Sequence, residues 1–488
     1  MEPETELRIR ANDWEKLTDH LFPGDGDEHG AVLLCGVSNR GLRRRLIVRE
    51  VVLAVDGEDY VPGVRGYRHL TGEFVTHQVR RAKDLGLAYL AVHNHSEFGD
   101  AGFSAPDIAS HERGYPTLVK LAGQPVGGVV CSRSALAGDL WYPTGGRGAI
   151  GRTTIIGPRQ QRLTDRAARR GSGGGDGRYQ RQTLLFGQEG QAILGQTKVA
   201  VVGCGGVGML VVQSLSRLGV GHIVAIDPDR VEPTNLPRLP EATRWDAMEF
   251  LDRQGRPTVL RHLGRRLARR KVDVAKRIAR RANRGIEFTA IADDVSLEHV
   301  ARSLIDADFI FLAADSMLAR DVVNQVSYQY LIPGLQIGSK IVVDPDDGSV
   351  TDVFAVVRHI GVEAGCLRCN GLVDAARLSA ESIGDPDQAK RQRYVDDPDV
   401  HAPSVITLNA MGTAFAANDF MLQTVGLRGA DSGHRVIRTR PLSASQPHVT
   451  VIEPNAHPTC PVCSQVDNST LGMADQSELP TRLGPRRK

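Results

Sequence analysis

At 488 residues, with 41% hydrophobic and 24% charged side chains, the chain is too long for one ordinary hydrophobic core and has the composition of globular protein. No apolar run reaches the roughly 18–20 residues of a membrane span, and the polar start MEPETELRIR lacks an apolar secretion core, so a cytoplasmic protein without a membrane partner is expected. The net charge of +3 is near balance, and the basic run from Arg253 to Arg284 has no interleaved aromatic residues for base stacking. That run reads as a solvated, phosphate-facing helix surface and not as a nucleic-acid interface.

In the first part of the chain, the strand-like LAYLAVHNH ends in His93, Asn94 and His95, and Ser104 and Asp107 follow. Imidazoles at i and i+2 of a strand share a face, and a carboxylate on the next helix completes a three-ligand zinc site with its fourth position open. The pattern resembles the JAB/MPN (JAMM) metalloprotease family, whose signature is H-x-H-x7-S-x-x-D with an upstream glutamate. Here eight residues separate His95 from Ser104, and Ser96 replaces the usual proline. The resemblance covers roughly Leu7 to Trp141 and implies a small α+β domain within residues 1–155. It also implies Zn2+ on His93, His95 and Asp107, with Ser104 stabilising an oxyanion. Glu28, in EHGAVLLCG, would be the general base, and VGGVVCSRSALAGDLW the closing strand. An inactive scaffold of the same fold is the alternative.

Residues 156–177, including the Gly-rich RRGSGGGDG, cannot bury enough apolar surface to fold alone and read as a linker. From Arg178 to Asp467, β-type runs (Lys198–Gly203, His222–Asp227, Ile286–Ile291, Asp308–Ala314, Gly334–Val343) alternate with helical stretches (Val207–Leu218, Val272–Ala282, Met317–Leu331). Such alternation predicts a mostly parallel, Rossmann-like sheet covered by helices.

In GCGGVG the glycines Gly203, Gly205, Gly206 and Gly208 follow an apolar strand and open a helix, where backbone N–H groups receive phosphate oxygens. Asp227 ends the next strand, where its carboxylate can accept from ribose hydroxyls, which NAD and ATP share. The continuation DPDRVEPTNLPRL separates them, because Asn235 and Arg238 suit triphosphate oxygens that hydride transfer does not need.

This segment resembles the ThiF/MoeB family, the activating enzymes of ubiquitin-like proteins, whose signature D-x-D-x-V-x-x-x-N-L-x-R runs here from Asp227 through Asp229 to Arg238. The resemblance extends from Arg178 to about Gln465 and implies ATP. It makes Arg181 (or Arg178) an arginine finger supplied across a homodimer, Lys271 a phosphate ligand after a longer insert than usual, and Asp315 the residue for Mg2+ and the α-phosphate. The implied reaction is adenylation of the C-terminal glycine of a small ubiquitin-like protein. Positioning and charge neutralisation by Arg181, Asn235, Arg238, Lys271 and Asp315 would supply most of the catalysis.

Cys366-Leu-Arg-Cys369 and Cys460-Pro-Val-Cys463 have the spacing of zinc knuckles, and the activating-enzyme family has this split structural site. Of the remaining cysteines, Cys35, Cys131 and Cys204, none lies where the family keeps its acyl-accepting cysteine; matching places Val395 near that position. The enzyme then stops at the adenylate, uses a hydroxyl such as Ser404 or one in LSAES with His401 as base, or relies on a partner's cysteine. Ser404 is also read as the N-cap of the helix that follows. Residues 468–488 read as an unstructured tail.

An activating domain fused to a JAB domain resembles bacterial ubiquitin-like conjugation systems, which pair such enzymes with a modifier and a conjugating-enzyme-like protein, often in antiphage defence. The alternatives are a sulfur-carrier adenylyltransferase of cofactor biosynthesis and a non-catalytic modifier-binding assembly protein.

Overall fold

The computed structural model describes residues 5–40, 43–62, 66, 68–95, 97–163, 177–344, 348–362, 364–382, 404–429, 433–440 and 448–482. Val395 and His401 lie outside the described residues. The chain divides into two compact units, the first made of Met1–Gly173 with Tyr328–Leu331 and Pro458–Glu478, the second of Gly174–Ser327, Ile332–His457 and Leu479–Lys488.

The first unit contains strands β1 (Thr5–Arg10), β2 (Gly30–Ser38), β3 (Arg44–Leu53), β4 (Ala88–Asn94), β5 (Val126–Cys131), β6 (Leu136–Trp141), β7 (Arg147–Ile156) and β8 (Gln161–Leu163). Its helices are α1 (Ala11–Leu21), α2 (Gly72–Leu85) and α3 (Ala105–Ala122). The sheet order is β1-β3-β2-β4-β5-β6-β7-β8, with mixed directions. Because β7 is ten residues long, it pairs with β6 at one end and with β1 along the rest, so the sheet's edges meet. Leu7, Leu33, Leu90 and Val129 fill one apolar cluster, and Val32, Leu34, Tyr89 and Tyr115 fill another beneath α2 and α3.

The second unit contains α4 (Gln180–Gln196), β9 (Lys198–Val202), α5 (Gly206–Leu218), β10 (His222–Ile226), α6 (Thr258–Leu267), α7 (Lys271–Ala282), β11 (Glu287–Ile291), α8 (Glu298–Ala301) and β12 (Phe309–Leu312). After these come α9 (Met317–Gln329), β13 (Gly334–Val343), β14 (Val350–Ile360), α10 (Ala375–Ser382), α11 (Ile406–Thr424), β15 (His434–Arg440) and β16 (Val449–Ile452). Strands β11-β10-β9-β12-β13 are parallel, and β14, β15 and β16 continue the sheet antiparallel. The central parallel strands β9, β10 and β12 are near-continuous apolar runs, as sheets covered on both faces require. Chain order reverses between β9 and β12, which opens a crevice at their C-terminal ends.

Two expectations about boundaries change. The linker expected from residue 156 begins later, since Gln161–Leu163 pair with β7. The tail expected over 468–488 is packed through residue 482: Leu471 and Ala474 are buried, and Gln476 accepts a hydrogen bond from the Val37 N–H at 3.0 Å. Composition hides such a segment because few apolar side chains anchor it and its contacts are to residues distant in sequence.

Candidate functional site

The crevice of the second unit is built from strand ends. Gly203 leaves β9 with a φ of 93°, which side chains avoid, and a Cβ there would lie 2.8 Å from the backbone of Ala313 and Ala314 after β12. Gly208 is tighter, since a Cβ would stand 1.8 Å from the Gly203 carbonyl oxygen. Gly205 is the N-cap and Gly206 the first residue of α5, so no Cβ at either position crowds the N–H groups of that helix's first turn.

Asp227, at the end of β10, is buried and accepts from the Cys204 N–H at 2.7 Å and the Asp229 N–H at 2.8 Å, thereby also shaping the glycine loop. Burial raises its pKa, against the pull of Lys271. Lys271, the first residue of α7, donates to Asp229 at 2.7 Å; burial would lower its pKa, but Asp227 and Asp229 raise it, so the ammonium persists. Asn235 is buried in the turn Pro233–Asn235 and accepts from the Glu232 N–H at 3.3 Å. Arg238 donates to the Thr234 carbonyl at 3.0 Å, and its own carbonyl oxygen would lie 3.1 Å from a Cβ on Gly206. Asp315 is exposed in the loop after β12. Arg181 is exposed in the first turn of α4, with no hydrogen bond or ion pair to a described residue.

The sequence reading missed Asn409. This buried residue of α11 has its Nδ2 2.5 Å from where a Cβ on Gly206 would be, accepts from the Ser339 hydroxyl at 2.8 Å and donates to Ser404 at 3.2 Å. Ser404 is therefore not the N-cap of α11, which is Val405; its hydroxyl is turned to Asn409. No local pattern marks Asn409, because only the fold carries α11 onto the glycine loop.

Cys366, Cys369, Cys460 and Cys463 place their sulfurs within 4.8 Å of one another. Backbone N–H groups of His457 and Val462 donate to the sulfurs of Cys369 and Cys460 at 3.4 and 3.5 Å, as thiolate knuckles require. Four thiolates fit a tetrahedral zinc that leaves no open position. Cys35, Cys131 and Cys204 are buried, and burial raises their thiol pKa, that of Cys131 to about 12, with the Asp227 carboxylate adding to the rise at Cys204, so none is a poised nucleophile.

In the first unit, ligand atoms of His93, His95 and Asp107 also converge within 4.8 Å. The Nε2 atoms of the two imidazoles face each other at 3.1 Å and stand 3.6 and 3.4 Å from Asp107 Oδ2. Two imidazole nitrogens and one carboxylate, with Glu28 Oε1 3.8 Å from His95, fit a three-ligand zinc centre with an acid–base group beside it. Ser104 is the N-cap of α3 and donates its hydroxyl to Asp107 at 2.7 Å, while Asp107 accepts its backbone N–H in a capping box. In this geometry Ser104 orients a ligand rather than facing an oxyanion. Burial would raise the Asp107 pKa, yet hydrogen bonds from His93 and Ser104 hold it well below the usual range; burial raises that of Glu28.

Sequence reasoning also missed a second polar group there. His111 Nδ1 lies 2.8 Å from Asp139, which Arg147 grips at 2.6 and 3.0 Å, and the histidine stacks on Tyr115. The i, i+4 step from Asp107 to His111 is its faint sequence signal.

The ThiF family model matches residues 179–461. The sulfur carrier protein ThiS adenylyltransferase of Bacillus subtilis (strain 168) is 25% identical over 310 residues, 63% of this chain and 77% of that protein. The SAMP-activating enzyme E1 of Haloferax volcanii is 29% identical over 151 residues, 30% of this chain and 48% of that protein. The solved structure of E. coli MccB with MccA-N7isoASN aligns at 20% identity over 59% of this chain and 75% of that one, with a TM-score of 0.42.

Proposed function

Because the chain belongs to the ThiF family, we propose that its second unit is an ATP-dependent adenylyltransferase for the C-terminal glycine of a small ubiquitin-like protein. The observation that carries this reading is the convergence of the glycine loop, Asp227 and Asp315 on the ends of β9, β10 and β12, with Lys271 tied to Asp229 beside them. A carboxylate oxygen of the protein substrate attacks the α-phosphorus, the bond to the β-phosphate breaks, and pyrophosphate leaves. Asp227 orients the ribose. Lys271, Arg238 and Asn235 hold the phosphates, Lys271 exchanging Asp229 for a phosphate oxygen, and Asp315 would hold Mg2+. Arg181, which no described residue engages, reaches the nucleotide of a second copy.

The first unit is proposed as a zinc peptidase that trims or releases the same modifier. His93, His95 and Asp107 would hold zinc, which supplies a Lewis acid. Glu28, its pKa raised by burial, takes the proton of the attacking water. Ser104 keeps Asp107 oriented.

The relatives named for sulfur-carrier and SAMP activation support adenylation of a small carrier protein, so a sulfur-carrier activator of cofactor biosynthesis is the second reading. In the leading reading the acyl group passes to a conjugating-enzyme-like partner, since the buried cysteines cannot accept it. Asp315→Ala should abolish ATP-dependent modifier adenylation, read by intact mass spectrometry, with an unchanged melting temperature; undiminished adenylate would remove Asp315 from the site. Glu28→Gln should retain zinc and lose cleavage of a modifier extended beyond its glycine, and an undiminished rate would rule out Glu28 as the base.

A further inference from the structure

Beside His93 and Asp107 the first unit has a half-open cavity of about 260 Å³, lined by residues of β4 and α3 and by Tyr60, Arg68, His69 and Leu70. The volume is ample for one amino-acid side chain and falls at the lower edge of small-ligand pockets, which start at roughly 300 Å³. Glu28, His93 and Asp107 are among its lining residues, so it is continuous with the candidate zinc centre.

The lining is polar where a core would be apolar. Tyr89 is fully buried, yet its hydroxyl has no hydrogen-bond partner among the described residues, an arrangement that natural interiors rarely leave unexplained. His111, 5% exposed, is held through Nδ1 by the Asp139 carboxylate. A carboxylate only accepts, so Nδ1 carries the proton, and in the neutral ring Nε2 is an acceptor that no described residue satisfies. Gly128 on β5 lets this wall form, since a Cβ there would lie 2.4 Å from His111 Nε2 and 2.9 Å from the Tyr115 hydroxyl.

Charge narrows the occupant further. A carboxylate entering the cavity would meet Asp107 and Glu28 in the lining and Asp139 behind His111. A cation would meet Arg68, whose guanidinium lies 3.6 Å over the Tyr60 ring and bonds Asp56 at 2.5 Å. We propose that this cavity is a side-chain pocket of the peptidase site, built for a neutral hydrogen-bonding side chain of the amide or hydroxyl class on a residue next to the bond that is cut. Tyr89, Tyr115 and His111 are its specificity residues, and Asp139 positions His111.

The proposal rests on reading the first unit as a zinc peptidase, and its test separates the two. The zinc-loaded full-length protein is given fluorogenic peptides that contain Gly-Gly and differ only beside the cut bond, glutamine against its near-isostere methionine. Glutamine should be favoured in kcat/KM by about tenfold or more, as sites that hydrogen-bond a substrate require. The ratio should fall toward one in Tyr89→Phe and His111→Leu and recover partly in His111→Gln, with zinc content unchanged. Tyr89→Phe removes only an unpartnered hydroxyl, so it remains informative if His111→Leu does not fold. Cleavage with equal rates for both peptides, or a ratio untouched in Tyr89→Phe, overturns the pocket while the peptidase reading stands. If neither peptide is cleaved, calorimetric binding of the same peptides to the Glu28→Gln protein decides. Glutamine-selective binding that Tyr89→Phe abolishes keeps the pocket, whereas equal or absent binding overturns it.

Discussion

Gly208 illustrates how one backbone position can hold a nucleotide loop closed. With the Gly203 carbonyl oxygen 1.8 Å from any added Cβ, Gly208→Ala forces the turn between β9 and α5 apart, and it should cost about 3 kcal/mol or more and abolish adenylation. Urea unfolding and pyrophosphate release measure both, and an unshifted midpoint would contradict the close approach. Asp139 belongs to the same scale. Burial alone would raise its pKa, but hydrogen bonds from His111 and Arg147 depress it from 3.8 to about 2. A depressed folded pKa stabilises fully above the unfolded value and is lost as pH falls through the folded one. Stability of the first unit should therefore drop between pH 4 and pH 2, with Asp139→Asn flattening that slope. Trp141, whose Nε1–H donates to Asp139 at 3.4 Å, offers a fluorescence readout of the acid transition.

At the scale of elements, α3 joins folding to the candidate metal centre. Its N-cap Ser104 and capping-box Asp107 satisfy helix N–H groups with the same atoms that orient a ligand. Ser104→Ala should cost about 1 kcal/mol of stability, as lost N-caps do, and should weaken zinc binding by roughly 10–100-fold, as lost partners of metal ligands do. Thermal melts and competition with a chelator separate the two effects, and unchanged zinc affinity would leave Ser104 a cap alone. The parallel strands β9 to β13 and helices α5, α7 and α9 were legible, because each is a near-continuous apolar run or a clear amphipathic repeat. Strands β8 and β16 were not. They are three and four residues long, and such short pieces become strands only when a long neighbour supplies hydrogen-bond partners.

Across the whole molecule, two clusters of side chains able to ligate a metal stand among the described residues, one of four cysteine sulfurs and one of two imidazoles and a carboxylate. Elemental analysis of the full-length protein should find about two zinc ions per chain, with Cys463→Ser and His93→Ala each removing one; a single zinc lost to only one of these variants would discard the other centre. Arg181 predicts self-association, so sedimentation should give a dimer, and an Arg181→Ala protein mixed with an Asp315→Ala protein should regain part of the adenylation. The sequence by itself determined the alternation of strands and helices, the glycine loop and the spacing of His93, His95 and Asp107, because these depend on neighbours within a turn or a strand. Only the tertiary structure decided that Asn409 abuts Gly206 and that residues 458–478 pack with the first unit. It likewise set Tyr89 and His111 along one cavity. Such contacts join residues far apart in the chain or set a side chain's direction, and neither composition nor periodicity encodes which buried polar group a fold leaves open.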